Sequence, residues 1–450
     1  MGAMRATGAR RRAAAVAVAA LAVLGATLPG AGPGMGQAAA QEGERPRVLR
    51  FGISAGLTAH DNLGLRPNGE SATTTATLGL DFAYRLSTPI QRFALTGDVG
   101  LRGGTGPRAG LDGVDGPGLR LSYDRAVPSA RLAVQAFARR SELLFRDRFA
   151  VLVADPGDPL TDPDDIVVEF VDGEAQDGED LRFGTQARLE LGRDAPFGVT
   201  LTGGYRGRRV DETDDPDLVD ENRLRLGLSL RFDLDAATRA TAGLSWSRVA
   251  EAGSDAPEGD PDGDTRETLR LNLGVTRDLP LGEAGIDLEI TEADEGTRTA
   301  VSVIYARALP LWGFETELGL ARGADGELSA VGALRATRQL RTGQAAFALQ
   351  RELRSGDDGE IGVTTLSADY GIAVTPRTDL AAGISVVRTD PARGGGETAG
   401  RLSVDLSRRL AEDWSLDLGV QHRFERRSGG ADARDNVISL GLRRTFTYLP

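Results

Sequence analysis

Apolar and polar residues alternate along much of the chain. Between Arg223 and Leu234 every second residue is apolar, and the residues between them are polar and rich in arginine. Successive side chains of a β-strand point to opposite faces, so the segment predicts a strand with one leucine face and one polar face. After a short turn at Asp235–Thr238 the alternation resumes through Trp246. The pattern therefore predicts a β-hairpin.

The hairpin pattern recurs from Leu49 to the end of the chain. Short turns such as Ser87–Ile90 and Leu410–Asp413 alternate with longer acidic connections such as Asp211–Glu221 and Glu292–Thr297. A helical period is absent after the first forty residues. Counting hairpins gives about 20 strands (roughly 18–22) in an up-and-down meander whose long connections all lie at one end.

A membrane barrel accounts for this pattern better than a soluble sheet. The sequence offers no second apolar layer or helix to cover the leucine faces, whereas a closed barrel presents such faces to lipid. Aromatic residues also fall near strand ends, as expected for girdles at the two membrane boundaries. Those on the short-turn side are Tyr84, Phe93, Tyr123, Phe232, Tyr305, Trp312 and Trp414, and those on the long-connection side are Tyr205, Trp246 and Phe424. The predicted fold class is all-β, a transmembrane up-and-down antiparallel β-barrel.

The N-terminal segment has the layout of a secretory signal peptide. A basic stretch at Arg10–Arg12 precedes the apolar run Ala13–Leu28, and Ala38–Ala40 offers a cleavage site. The predicted organisation is a cleaved signal peptide at 1–40 and one outer-membrane barrel at 41–450. We expect no plug or periplasmic domain before the first strand, which argues against an energy-coupled receptor.

Composition agrees with an exported protein. The chain has no cysteine, and its cationic side chains are all arginines. The absence of thiols suits an oxidising cell envelope and excludes disulfides. A formal net charge of −13 makes the chain a poor ligand for nucleic acid.

The last strand resembles the C-terminal signal of bacterial outer-membrane barrels. That signal is a polar–x–Gly–x–x–apolar–x–aromatic pattern, and Ser439, Gly441 and Phe446 match it. Arg444 occupies the apolar position, and Pro450 stands where an aromatic residue is usual. The resemblance implies insertion by the outer-membrane assembly machinery of a Gram-negative bacterium.

A second resemblance lies near the start of the barrel. The segment LTAHDNLGL (57–65), with Asp61 and Asn62, resembles a putative β-barrel porin family. The resemblance implies a location in the cell outer membrane, with membrane lipid and lipopolysaccharide as partners. The resemblance is compatible with a homotrimer, and we expect no nucleic-acid partner.

The polar faces indicate what lines the predicted lumen. Arginines gather near the long-connection end of consecutive strands, and carboxylates of later strands oppose them. The pore-lining candidates are Arg102, Arg120, Arg139, Arg182, Arg206, Arg208, Arg223, Arg225 and Arg270 on the basic arc and Asp287, Glu289, Glu315 and Glu317 on the acidic arc. Opposed arcs would set up a transverse field across a pore. The alternative is that these charges pair with neighbours and merely fill a polar interior.

The third external connection, residues 140–180, is the longest and is strongly acidic. In general porins the third external loop folds inward and narrows the channel, and this position resembles that arrangement. Apolar runs at Phe149–Val153 and Ile166–Val171 flank the turn-forming segment Asp155–Pro163. An additional hairpin is therefore an equally supported interpretation.

Few residues suggest catalysis or metal binding. His60 beside Asp61 is a conceivable acid–base pair for a barrel hydrolase, but a loop histidine is far more often solvated. Asp260, Asp262 and Asp264 form an acidic loop whose glycine does not match a calcium-binding loop. We expect no enzyme activity, no metal and no cofactor.

The leading functional hypothesis is a porin-like channel for passive passage of small polar or anionic solutes through an arginine-lined lumen. An export or anchoring barrel for an anionic surface polysaccharide is the alternative, because the arginine arc would suit an anionic chain. An outer-membrane barrel hydrolase is a third and weaker hypothesis.

Overall fold

Twenty antiparallel strands form the part of the protein that the structure describes. The structure is a computed structural model and describes residues 47–66, 69, 71–107, 111–143, 178–211, 219–252, 265–356, 359–391, 396–427 and 432–449. The strands are β1 (Arg47–His60), β2 (Thr73–Ser87), β3 (Gln91–Thr105), β4 (Gly113–Val127), β5 (Ala130–Glu142), β6 (Glu179–Leu191), β7 (Phe197–Asp211), β8 (Asp220–Asp233), β9 (Thr238–Ala252), β10 (Thr265–Leu279), β11 (Gly282–Ala293), β12 (Gly296–Leu309), β13 (Trp312–Arg322), β14 (Leu328–Leu340), β15 (Gly343–Gly356), β16 (Gly359–Thr375), β17 (Thr378–Pro391), β18 (Glu397–Arg409), β19 (Trp414–Arg427) and β20 (Ala433–Tyr448). The predicted signal peptide lies outside the described residues.

Each strand pairs with its sequence neighbour, and the sheet closes on itself. β1 pairs with β20 in a continuous ladder from Leu49↔Tyr448 to His60↔Val437. Closure satisfies every backbone group of the wall without leaving an edge strand. The prediction of an all-β up-and-down barrel of about twenty strands is confirmed. Within the described ranges, no helix is long and apolar enough to cross a membrane.

The period of two in the sequence divides the wall into an apolar and a polar face. Leu226 and Leu228 on β8 are 51% and 38% exposed on the outer surface. Their cross-strand partners on β9, Trp246 and Leu244, lie on the same surface. Since the ring is closed, the alternate polar residues of every strand face the lumen. A water-exposed apolar surface of this extent is unstable, whereas a lipid-facing one is expected of a membrane barrel.

The turn between β8 and β9 shows how local chemistry fixes a hairpin. The Asp235 carboxylate accepts backbone N–H groups from Ala237 at 2.7 Å and from Thr238 at 2.8 Å. The bond from Ala237 is the main reason that the pKa of Asp235 lies below its ordinary value. A short polar residue that bonds its own backbone a few positions on is what a tight turn favours.

The two ends of the barrel differ in the length of their connections. The tight turns fall at one end of the barrel, as the alternation of short and long connections in the sequence predicts. At the other end, called here the outer end, the longer connections occur in the first half of the chain. The predicted long connection at Glu292–Thr297 is wrong, because the ladder continues to Ala293↔Gly296 and leaves only residues 294–295 between strands.

Aromatic side chains on the outer surface mark two levels of the wall. At the tight-turn end, the rings of Phe197 and Phe232 lie 5.1 Å apart, and at the outer end Phe183 and Tyr205 lie 6.1 Å apart. Arg444, which departs from the usual C-terminal signal, lies 4.6 Å from the ring centroid of Phe446. An arginine over an aromatic face at a headgroup level is a favourable cation–π contact.

Candidate functional site

The ring is too wide for its own side chains to fill. Strands about 4.8 Å apart and tilted by about 40° give a twenty-stranded ring a diameter of about 40 Å. Barrels of eight strands are filled by inward side chains, whereas wide ones leave an aqueous space. The candidate functional site is therefore the polar inner face and whatever folds across it.

The arginines of the predicted basic arc all lie on the inner face. Their strands are β3 to β8 and β10, and the cross-strand register aligns Arg139 with Arg182, Arg182 with Arg208, and Arg206 with Arg223. The full set is Arg102, Arg120, Arg139, Arg182, Arg206, Arg208, Arg223, Arg225 and Arg270. The barrel thus brings them together on one side, mostly towards the outer end.

Carboxylates neutralise much of this arc. Asp180 is fully buried and accepts Nε of Arg182 at 2.8 Å and Nε of Arg208 at 3.3 Å. Arg102 pairs with Glu142. Further pairs are Arg139 with Asp98 at 3.8 Å, Arg223 with Glu221 at 3.1 Å and Arg270 with Glu289 at 3.6 Å. Ion pairing along the basic arc is therefore extensive.

Arg120 differs from the other arginines of the arc. It faces the lumen from β4, opposite Thr96 on β3 and Phe137 on β5. The residue is exposed and makes no salt bridge with a described carboxylate. Its guanidinium is consequently exposed in the lumen.

The predicted acidic residues also lie on the inner face. Asp287 and Glu289 come from β11, and Glu315 and Glu317 from β13. Glu315 pairs with Arg335 at 2.9 Å. Among described inward residues, arginines outnumber carboxylates on β3–β10 and carboxylates outnumber arginines on β11–β19. The two halves of the wall therefore carry opposite net charge despite local pairing.

Small residues form a recess of about 590 Å³ in the acidic half. Glycines line it where β1, β19 and β20 meet, and Asp405 and Asp417 project beside them. A Cβ atom at Gly419 would lie only 2.8 Å from Oδ1 of Asp405, so glycine makes room for that carboxylate. Neither aspartate makes a salt bridge with a described residue.

The described start of the first external connection, residues 61–66, folds into the lumen. Leu63 and Leu65, which follow β1, are 6% and 7% exposed. Leu65 packs in a cluster with Val363, Val387, Ala399 and Ala433, which lie on inward positions of β16, β17, β18 and β20. The segment therefore covers the inner wall over β16–β20 at the outer end.

Asp435 on β20 anchors this segment. Its carboxylate is fully buried and accepts the backbone N–H of Asn62 at 3.0 Å and Nε of Arg423 at 2.9 Å. Nδ1 of His60 lies 3.1 Å from Asp435 and 3.2 Å from Arg423 Nη2. A buried carboxylate with this many donors has its hydrogen-bonding capacity well satisfied.

Asp61 and Asn62, the pair behind the porin resemblance, complete the anchor. The Asn62 amide donates to the carbonyls of Arg66 and Arg434, both at 2.8 Å. Asp61 accepts the backbone N–H of Asn436 at 2.7 Å. The two residues therefore tie the first connection to the strand that closes the barrel.

The predicted His60–Asp61 pair does not form. His60 faces the lumen and contacts Asp435, while Asp61 bonds Asn436 beside the outward His422. Adjacent positions on a strand point to opposite faces, which explains the separation. The acid–base arrangement behind the hydrolase hypothesis is thus wrong.

Two other predictions fall partly or wholly outside the described residues. The third external connection is described only at its ends, where β5 and β6 pair directly from Ala130↔Leu191 to Glu142↔Glu179. The acidic loop with Asp260 is not described. In the described portions of the chain, no group of three or more histidine, aspartate or glutamate side chains is placed to hold a metal ion.

Comparison with known proteins supports the fold. No protein family profile matches the chain, and no curated protein matches it significantly. A point mutant of the ferric enterobactin receptor (PfeA) from Pseudomonas aeruginosa aligns at a TM-score of 0.50 with 10% identity, covering 90% of this chain and 81% of that one. The siderophore receptor PirA from Pseudomonas aeruginosa gives 0.47 with 12% identity, over 88% and 80% of the two chains. OccAB4 from Acinetobacter baumannii gives 0.37 with 12% identity, over 89% and 98%.

The fold defines the class of protein. A closed antiparallel ring with an apolar outer surface, aromatic levels and a polar interior is a bacterial outer-membrane β-barrel. The chain is accordingly an outer-membrane protein.

Proposed function

We propose that the barrel is a passive channel for small polar solutes, with walls of opposite net charge. The observation that carries the proposal is the polar inner face, basic on β3–β10 and acidic on β11–β19, around a space that its side chains do not fill. A continuous polar lumen allows solutes to keep most of their hydration as they cross.

The opposed walls would act on solutes through their field. Charges that face a water-filled space between low-dielectric walls are screened less than charges on an open surface. Dipolar and zwitterionic solutes would therefore align across the lumen. Because carboxylates pair with most of the predicted arginines, we propose only a modest preference for anions, supplied by accessible side chains such as Arg120.

The first external connection would set one boundary of the pathway. It covers β16–β20 at the outer end and is held by both the Asp435 anchor and the Leu65 cluster. Solutes would then pass along the remaining arc, where the arginines lie. This arrangement places the basic side chains at the mouth of the proposed pathway.

Liposome swelling tests passive transport directly. Vesicles containing the purified chain should swell in iso-osmotic solutions of small neutral sugars, at rates that fall steeply as the sugar becomes larger. Small zwitterions should enter at rates comparable to neutral solutes of equal size. Swelling no faster than in protein-free vesicles, with correctly folded protein, would overturn the proposal.

A further inference from the structure

Four arginines form a basic patch on the outer surface of the barrel. Arg351, Arg388 and Arg426 lie on β15, β17 and β19, and cross-strand pairing through Thr364 and Thr398 places the three in register across the sheet. Arg434 on β20 is paired with Phe424, two residues nearer the tight-turn end of the ladder than Arg426. We call these four residues the outer arginine row. All of them occupy the face that carries the lipid-exposed leucines.

The row lies at the upper boundary of the apolar band. Directly beneath it, pairing aligns Leu349, Leu366 and Val386 on β15, β16 and β17. Trp414, at the tight-turn end of β19, and Phe424 are ten residues apart, which corresponds to about 26 Å along the membrane normal at a tilt of about 40°. That distance matches the apolar band of an outer-membrane barrel, so Arg426 and Arg434, which adjoin Phe424, lie at the level of lipid headgroups.

The guanidinium groups are accessible, and the four arginines outnumber the described carboxylates that pair with them. Their side chains are between 42% and 68% exposed. The Asp390 carboxylate accepts hydrogen bonds from Arg351 at 3.2 Å and from Arg388 at 2.8 Å. Asp432 forms salt bridges with Arg426 at 3.1 Å and with Arg434 at 3.7 Å. Each guanidinium has five donors, so donors remain for another anion.

We propose that the outer arginine row binds the phosphate groups of an anionic lipid in the outer leaflet. Arginine holds phosphate through paired, charge-assisted hydrogen bonds. Arg351 and Arg388 are two strands apart, and so are Arg388 and Arg426, which corresponds to about 10 Å in each case. At this separation neighbouring arginines can contact different phosphates of one lipid or of adjacent lipids.

The apolar residues beneath the row select a lipid over other anions. Acyl chains of a lipid whose phosphate contacts Arg388 would lie against Leu366 and Val386. Inorganic phosphate would use the arginines alone. A surface polysaccharide would have to descend to the membrane boundary to reach them. This inference concerns the outer surface and does not depend on transport through the lumen.

Native mass spectrometry of the purified barrel tests the proposal. The probe is diphosphorylated lipid A added to the protein in neutral detergent. The double variant R388Q/R426Q should retain about thirtyfold less of this lipid than the native chain, since each arginine near an anionic surface contributes about 1 kcal/mol. The matched control is R248Q, on β9 at the other side of the barrel, where Arg248 is also outward and half exposed. This control should retain lipid like the native chain.

Further arms identify the ligand. The native chain should retain dephosphorylated lipid A poorly. Its retention should be as low as that of intact lipid A by R388Q/R426Q. Equal retention of intact lipid by the native chain and the double variant would overturn the proposal. So would phosphate-independent retention, or displacement of the lipid by equimolar inorganic phosphate or by a phosphate-free acidic polysaccharide. Heat-modifiable migration on gels verifies folding, and the single variant R351Q, which should lose part of the lipid, replaces the double variant if folding fails.

Discussion

Asp435 is the residue on which the outer end of the lumen depends most. It is fully buried, and its donors come from His60, Asn62 and Arg423, so it joins the first connection to β19 and β20. Removing one member of a buried ion pair is costly because the other charge stays desolvated. The strand that closes the barrel and the fold of the first connection therefore both depend on the Asp435 carboxylate.

Replacing Asp435 with asparagine should lower the free energy of unfolding by about 3 kcal/mol, since Arg423 would remain buried without its partner. Urea titration of the barrel in detergent measures the change. The matched control is Asp432→Asn, which removes an exposed carboxylate from the same strand end. Exposed pairs contribute little, so this control should unfold like the native chain. Equal effects of the two substitutions would contradict the anchoring role.

Arg120 offers a test of charge in the lumen without a folding penalty. Arg120→Glu changes the charge by two units at an inward position that has no salt bridge with a described residue. At about 10 Å in salt solution such a change should shift the ratio of anion to cation permeability about twofold towards cations. Reversal potentials in a potassium chloride gradient measure the ratio. Arg248→Glu makes the same change on the outer surface and should leave the ratio unchanged; a similar shift in both variants would place Arg120 outside the pathway.

At the scale of elements, the strands can be predicted from the local sequence pattern, whereas the fold of the first connection cannot. The alternation from Arg223 to Leu234 predicts β8 because the pleat imposes a period of two regardless of tertiary context. The inward packing of Leu65 depends on Val387 and Ala433, which are more than three hundred residues away in sequence. One local signal was present, since Leu63 and Leu65 are apolar residues in an otherwise polar connection.

The site was predictable only in part for the same reason. Inward placement of Arg206 and Arg223 follows from strand parity, whereas the pairing of Arg182 and Arg208 with Asp180 requires the register of neighbouring strands. Asp435 and Arg423 were missed because nothing in their local sequence distinguishes them from other charged residues at strand ends. Adjacent His60 and Asp61 suggested a pair that the strand separates.

The packing of Leu65 predicts how the first connection can be released. A carboxylate placed among Val363, Val387 and Ala433 would cost several kcal/mol, so Leu65→Glu should expel the segment from the lumen. Single-channel recordings should then show a larger and less steady conductance. Leu328→Glu is the control, because Leu328 lies at a strand start and is 73% exposed. An unchanged conductance in Leu65→Glu would show that the segment does not narrow the pathway.

At the scale of the whole molecule, the barrel separates two chemistries by strand number. The basic half is built from β3–β10 and the acidic half from β11–β19. Because the chain winds once around the ring, a drift in charge along the sequence becomes a field across the lumen. The outer surface has its own asymmetry, since the outer arginine row lies over β15–β20. These distributions are consequences of an up-and-down meander.

Conductance across a planar lipid bilayer tests the channel claim most directly. The purified, folded chain should insert and give stepwise increases in current at low voltage, with a conductance proportional to salt concentration, as expected of a water-filled lumen. Heat-denatured protein in the same detergent gives the baseline. Folded protein that inserts, as shown by protection from added protease, yet conducts no ions at any voltage would contradict the account.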